Sequence, residues 1–459
     1  MHTTKMSASE RRAVVSLSSI MGLRMIGLFM VLPIFSLYAA QLKGGTPILV
    51  GIAIGIYGLS QALFQIPFGA LSDRWGRKPI ILIGLIIFSS GSLLCAFSTS
   101  IYLMILGRAL QGIGAVGSTI LAMMADFTRE NQRTKSMAIA GMTIGFSFSV
   151  AMFLGPMLTK WFAINQLFFL ATLFGVIGIF ILFFAVPTPE NSHWHRDTEP
   201  ELKSFLQLLI APELAKLNIG IFILHAIFTA SFIVIPITLT QFAGLSANQQ
   251  WHFYLPSLLI AFVISLMLIG FAERKQRVKP YFLIGILMLL IAEICLFLSL
   301  IHHALIIFGL GFFFTGFSLL EAFLPSLVSR TAPATRKGSA LGIYSCAQFS
   351  GIFAGGVLGG WIYGKFSFSG VYLFCLALAF IWLILAYFMQ PPRYLVMQML
   401  RFLPAKHPDW ESIAEHLRNI PGMAEVTFIA EESMAYLKME RATTQHPDFI
   451  RLKERLQSE

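Results

Sequence analysis

Glu321 stands alone in an apolar run, between Phe317-Ser318-Leu319-Leu320 and Ala322-Phe323-Leu324. A carboxyl withdrawn from water favours its neutral form and can exchange protons near neutral pH. Arg108 occupies a comparable setting in Leu106-Gly107-Arg108-Ala109-Leu110. A guanidinium near an acid favours its ionised form, so Arg108 either tunes such an acid or is a structural arginine satisfied by backbone carbonyls. Arg24 and Glu293 are two further charges inside apolar runs. Each such charge costs about 2.5–3.5 kcal/mol on insertion scales. Arg24 either binds an anionic substrate or pairs with Glu321, and Glu293 reads as structural. Tyr57, Gln61, Tyr344 and Gln348 are candidates to line a substrate cavity, while His225 either relays protons or is a hydrogen-bonded structural side chain.

A second constellation is Gly69-Ala70-Leu71-Ser72-Asp73-Arg74-Trp75-Gly76-Arg77-Lys78-Pro79. Gly69 permits close helix approach and Gly76 a tight turn. Asp73 lies among Arg74, Arg77 and Lys78, whose charges favour its ionised form. Asp126 heads another polar stretch, Asp126-Phe127-Thr128-Arg129-Glu130. Gly145, Gly155 and Pro156 form a third set. Gly141 and Gly145 make a small-residue seam, and Pro156 frees a carbonyl and bends its helix. Gly351, Gly355, Gly356, Gly359 and Gly360 repeat that pattern later in the chain, and the two stripes are expected to slide on one another.

These groups must be held by membrane spans. Of 459 residues, 56% are hydrophobic and 12% charged, against about 25% charged in soluble domains. An ordinary cytosolic enzyme is excluded. About 20 apolar residues cross a bilayer, and twelve such runs are read: 13–39, 47–71, 79–98, 100–125, 135–159, 165–187, 216–242, 251–271, 280–300, 303–328, 338–363 and 369–390. With both termini cytoplasmic, the inner segments carry 19 Lys/Arg and the outer loops three, Lys43, Lys160 and Lys365. That asymmetry fixes an even span number and the orientation. It also assigns the basic excess to topology rather than to nucleic acid.

A Pro-containing linker, 188–215, separates two six-helix halves, 1–187 and 216–390, and the equal size of their membrane parts, 13–187 and 216–390, suggests duplication. The segment 391–459 is a water-soluble appendage. Apolar spacing predicts a strand within 394–402, a helix capped by Asp409 and ended by Pro421-Gly422, strands around Val426–Ala430 and Ala435–Met439 with Glu431-Glu432 between them, and a last helix near Phe449. The order β-α-β-β-α is most of a ferredoxin-like unit. The four cysteines lie in apolar runs without ligand spacing, and no metal is expected. Gly359–Lys365 nearly copies a phosphate loop, but Phe366 replaces the required Ser/Thr. No ATP, cofactor or catalytic constellation is implied.

The 69–79 loop resembles the signature loop of the major facilitator superfamily, roughly G-x-L-x-D-R-x-G-R-K. Arg108-Ala109-Leu110-Gln111-Gly112 resembles its fourth-helix R-x-x-Q-G motif. The likeness covers about residues 13–390 and is nearest to the twelve-helix drug:proton antiporters, in particular a type with a C-terminal ferredoxin-like domain. Their fifth-helix G-P-x-x-G-G motif is incomplete, because Met157-Leu158-Thr159 follow Gly155-Pro156. The resemblance implies an all-α polytopic fold of two pseudo-symmetric bundles in a bacterial inner membrane. It implies a monomer that moves small hydrophobic or amphipathic compounds against protons. It also implies that Asp126 joins Asp73, Arg77 and Arg133 in a cytoplasmic cluster, which is expected to latch the halves until protonation of an acid such as Asp126 loosens it. The helix-four arginine, matched by Arg108, is implied to influence protonation, expected here at Glu321. Nutrient uptake and a membrane sensor using the tail are the competing expectations.

Overall fold

The computed structural model describes residues 6–187, 207–333, 336–390, 395–401, 410–429 and 434–451. The first apolar run forms α1 (Ala8–Phe29) and α2 (Leu32–Ala39), which together make one span broken at Met30-Val31. Spans two and three are α3 (Pro47–Trp75) and α4 (Arg77–Ala96). Gly76 joins them at φ 91°, a conformation that a side chain resists. The fourth span is α5 (Ile101–Ile113) and α6 (Gly117–Phe127), and α7 (Glu130–Leu158) and α8 (Ile164–Phe184) complete the first half.

The second half holds α9 (Pro212–Gln241), α10 (Trp251–Arg274), α11 (Val278–Leu298), α12 (Leu305–Thr331) and α13 (Lys337–Tyr387). At 51 residues, α13 is too long for one crossing, and Ser367, at φ 59°, breaks it into the eleventh and twelfth spans. The expected twelve runs are therefore all present as helices. Their predicted bounds fall within a few residues of the observed ones.

The halves meet most tightly at one end. A Cβ on Gly51 of α3 would stand 2.1 Å from the Gly356 carbonyl oxygen of α13, and one on Gly360 2.5 Å from the Pro47 carbonyl oxygen. No residue but glycine permits that approach. Towards the signature-loop end the picture reverses. Gly69, Gly141, Gly145, Gly338 and Gly342 have open space where a Cβ would be. The two halves are thus closed at the Pro47 end and splayed at the end bearing residues 69–79. The expected sliding of α7 on α13 is corrected: Gly351, Gly355 and Gly359 pack on α9 at Phe222, Ala226 and Ala230, whereas Gly356 and Gly360 pack on α3.

After α13 come β1 (Leu395–Arg401), α14 (Trp410–Arg418), β2 (Met423–Ile429) and β3 (Met434–Glu440). The sheet is antiparallel in the order β1-β3-β2. Ala414, Leu417, Val426, Ala435, Leu437 and Met439 fill a small separate core. The linker over 188–206, the Asp409 cap and the Glu431-Glu432 turn lie outside the described residues. Buried Lys438 of β3 donates to the carbonyl of Ala332, the residue that ends α12, and pairs with Glu425 at 3.1 Å. This bond seats the small domain at the splayed end of the second half.

Candidate functional site

Glu321 lies near the middle of α12. Its neighbours Leu319, Leu320 and Leu324 are fully buried, yet its own side chain is 37% exposed. It faces the space between the halves rather than the packed core. The Gln348 amide nitrogen donates to Glu321 Oε1 at 3.1 Å and stands 3.0 Å from His225 Nε2. His225 Nδ1 lies 3.3 Å from the Ile221 carbonyl oxygen. A carbonyl only accepts, so Nδ1 carries the ring proton and Nε2 accepts from Gln348. Glu321 Oε2 is 3.9 Å from His225 Nε2 and has no hydrogen bond of its own. Three helices, α9, α12 and α13, thus bring an acid, an amide and an imidazole together. Phe317, one turn from Glu321, stacks on Phe148 of α7 with centroids 5.6 Å apart and packs on Phe228 at 4.7 Å. These rings join the halves beside the acid.

The other intramembrane charges sit elsewhere. Arg108 Nη1 donates to Gln111 Oε1 at 2.8 Å, and its guanidinium lies 5.3 Å from the Tyr57 ring centre. Gln111 in turn donates to Ser92 Oγ at 2.8 Å. Arg24 Nη2 donates to Gln61 Oε1 at 3.0 Å. These contacts of Arg24 and Arg108 all lie in the first half, and neither arginine reaches Glu321. Tyr344 is buried, with its hydroxyl unpartnered. Glu293 is fully buried and accepts from Ser231 Oγ at 2.9 Å.

At the splayed end, Arg77 is the hub. It pairs with Asp73, with Asp126 Oδ2 at 3.0 Å, and donates to Ser72 Oγ at 2.7 Å. Three of the four expected cluster members therefore meet. Arg133 does not join: it is exposed and forms no ion pair among the described residues. Lys78 turns away to cap α8 through the Val186 carbonyl, at 2.8 Å. Arg74 is exposed on the last turn of α3. Both ion pairs of Arg77 stay within the first half.

Two ion pairs escaped the sequence reading. Glu10, buried at the first turn of α1 before the apolar run begins, binds Arg129 through Oε1 at 2.8 Å and Oε2 at 2.9 Å. The Arg129 side chain holds the Glu10 carboxyl down at about 2. A signal was available, because Ser7 and Glu10 have capping-box spacing and form that box. Arg330 and Glu273, 2.6 Å apart, tie α12 to α10. Of the helix-five residues, Gly155 presses against the break in the first span, where a Cβ on it would fall 1.6 Å from the Met30 carbonyl oxygen, and Pro156 lies inside α7. Gly145 faces open space.

Two six-helix halves, closed at one end and splayed at the other around a partly exposed intramembrane acid, define a secondary transporter rather than an enzyme. The chain belongs to the Major Facilitator Superfamily, whose model matches residues 17–356 and 217–419. It is 41% identical to the inner membrane transport protein YajR of Escherichia coli strain K12, over 97% of each chain. It is 33% identical to the class B tetracycline resistance protein of Escherichia coli, over 32% of this chain and 37% of that one. The crystal structure of a D-xylose-proton symporter has the same fold, with TM-score 0.67 and 15% identity over 83% of this chain and 98% of the other.

Proposed function

We propose that this transporter exports small hydrophobic or amphipathic compounds from the cytoplasm by exchange with protons, in a bacterial inner membrane with both termini inside. Division into 1–187, 188–215, 216–390 and 391–459, with each half moving as a unit, fits this reading. The carrying observation is Glu321: an acid mid-span, open to the splayed space, and held by Gln348 beside a neutral His225. Protonation removes the charge that Gln348 stabilises, which weakens that bond and leaves the amide held by His225. The aromatic contact of Phe148 with Phe317 would shield the acid from the closed side. The helix-four arginine is held away from the acid, so any effect on its proton passes through the cavity. The relatives named inner membrane transport protein and tetracycline resistance protein support membrane and direction.

Asp73, Arg77 and Asp126 act as the cytoplasmic latch in this scheme. They stay in the first half in the splayed state and reach the second half on closure, with Arg133 as a cation available to them. Inside-out vesicles test the direction. A pH gradient acidic inside should drive dyes and lipophilic drugs into them. Accumulation in right-side-out vesicles instead would select uptake.

A further inference from the structure

The first half buries two guanidiniums without an acid. Arg24 is 2% exposed and Arg108 5%, and neither forms an ion pair among the described residues. An arginine does not shed its proton to escape burial. A buried charge normally needs an opposite one. Here the compensation is neutral: the side-chain oxygens of Gln61 and Gln111, the Ala53 carbonyl, which accepts from Arg108 Nε at 3.4 Å, and the faces of Phe88 at 5.5 Å from Arg24 and of Tyr57 and Phe35 at 5.3 and 5.7 Å from Arg108. The Tyr57 hydroxyl and the Arg24 side chain are neighbours, but neither Arg24 Nε nor that buried hydroxyl has a partner of full hydrogen-bond geometry.

We propose that Arg24, Tyr57, Gln61 and Arg108 bind the carboxylate of an anionic amphipathic compound carried by this protein. A guanidinium fork matches the two oxygens of a carboxylate, and Arg24 Nε and the Tyr57 hydroxyl, neither held by a bond of full geometry, complete the set. The apolar part of the compound has a ready wall, since Leu28, Phe88, Phe29 and Phe349 cluster around Tyr57. α13 borders this site: Phe349 meets the Tyr57 ring edge-on at 6.1 Å and is the neighbour in sequence of Gln348, which holds Glu321. Movement of α13 against α3 therefore alters the carboxylate site and the Gln348 contact together. The inference rests on the export reading and names its substrate class.

The test is equilibrium dialysis of full-length protein in detergent with 4-phenylbutyrate, 4-phenylbutanamide and 4-phenylbutylamine, without a proton gradient. The carboxylate should bind about tenfold more tightly than the amide or the amine. Arg24→Gln should abolish that preference and Tyr57→Phe should reduce it, while Glu321→Gln should retain it. Equal binding of the three compounds, no binding of any, or an unchanged preference in Arg24→Gln overturns the proposal. If Arg24→Gln does not fold, an unchanged preference in Tyr57→Phe overturns it. Because no transport is read, failure here leaves proton coupling standing, and failure of coupling leaves this site standing.

Discussion

The Gln348 amide nitrogen lies 3.1 Å from Glu321 Oε1, and this bond ties α13, the helix that joins the halves, to the acid of α12. A hydrogen bond to a charged group contributes about 1.5–3 kcal/mol. Gln348→Leu should therefore lower proton-driven transport about tenfold and change its pH profile, with the fold intact. Vesicle flux measured from pH 5.5 to 8.5 checks this. An unchanged rate and profile would show that Gln348 is a bystander.

Glu10 gives a pH dependence outside the membrane. Its carboxyl is held at about 2, chiefly by the Arg129 side chain, against an ordinary value of 4.5. A depressed folded-state value means that the pair stabilises fully above about pH 4.5 and loses its effect as pH falls towards 2. Glu10→Gln should lower Tm at pH 7, and this difference should shrink progressively as pH falls below about 4.5, as thermal unfolding in detergent would show.

The two helix-five glycines should differ. Gly155→Ala places a Cβ against the Met30 carbonyl and should destabilise by about 1–3 kcal/mol. Gly145→Ala meets open space and should stay within about 0.5 kcal/mol of the parent. Comparison of unfolding midpoints decides between this and equal sensitivity.

Gly51 reports on conformation. A Cβ there collides with the Gly356 carbonyl across the closed end. Gly51→Ala should shift the population towards the state in which α3 and α13 part. Spin labels at the Pro47 ends of the two halves should show a longer distance by electron resonance. An unchanged distance distribution would mean that the contact is not state-dependent.

Much of this was legible in the chain. The spans followed from apolar length, and the junction at Gly76 from the glycine among charges. Asp73, Arg77 and Asp126 met because short loops leave them little freedom. What failed depended on helix rotation. A 27-residue helix such as α12 does not announce which way Glu321 points, so its pairing with His225 and Gln348 rather than Arg108 could not be read. Arg133 shares a short loop with the cluster, but it sits on a turn of α7 that faces solvent. The glycines of α13 were visible as a stripe. The partner of that stripe was misread, since small residues on two faces serve both α9 and α3.

The central claim is that Glu321 carries the coupling proton. Its most direct test is flux of an exported compound from proteoliposomes holding Glu321→Gln, with and without an imposed pH step. Exchange without the gradient should persist, while gradient-driven pumping falls to the level of empty liposomes. Pumping at the parent rate by the Gln variant would contradict the account.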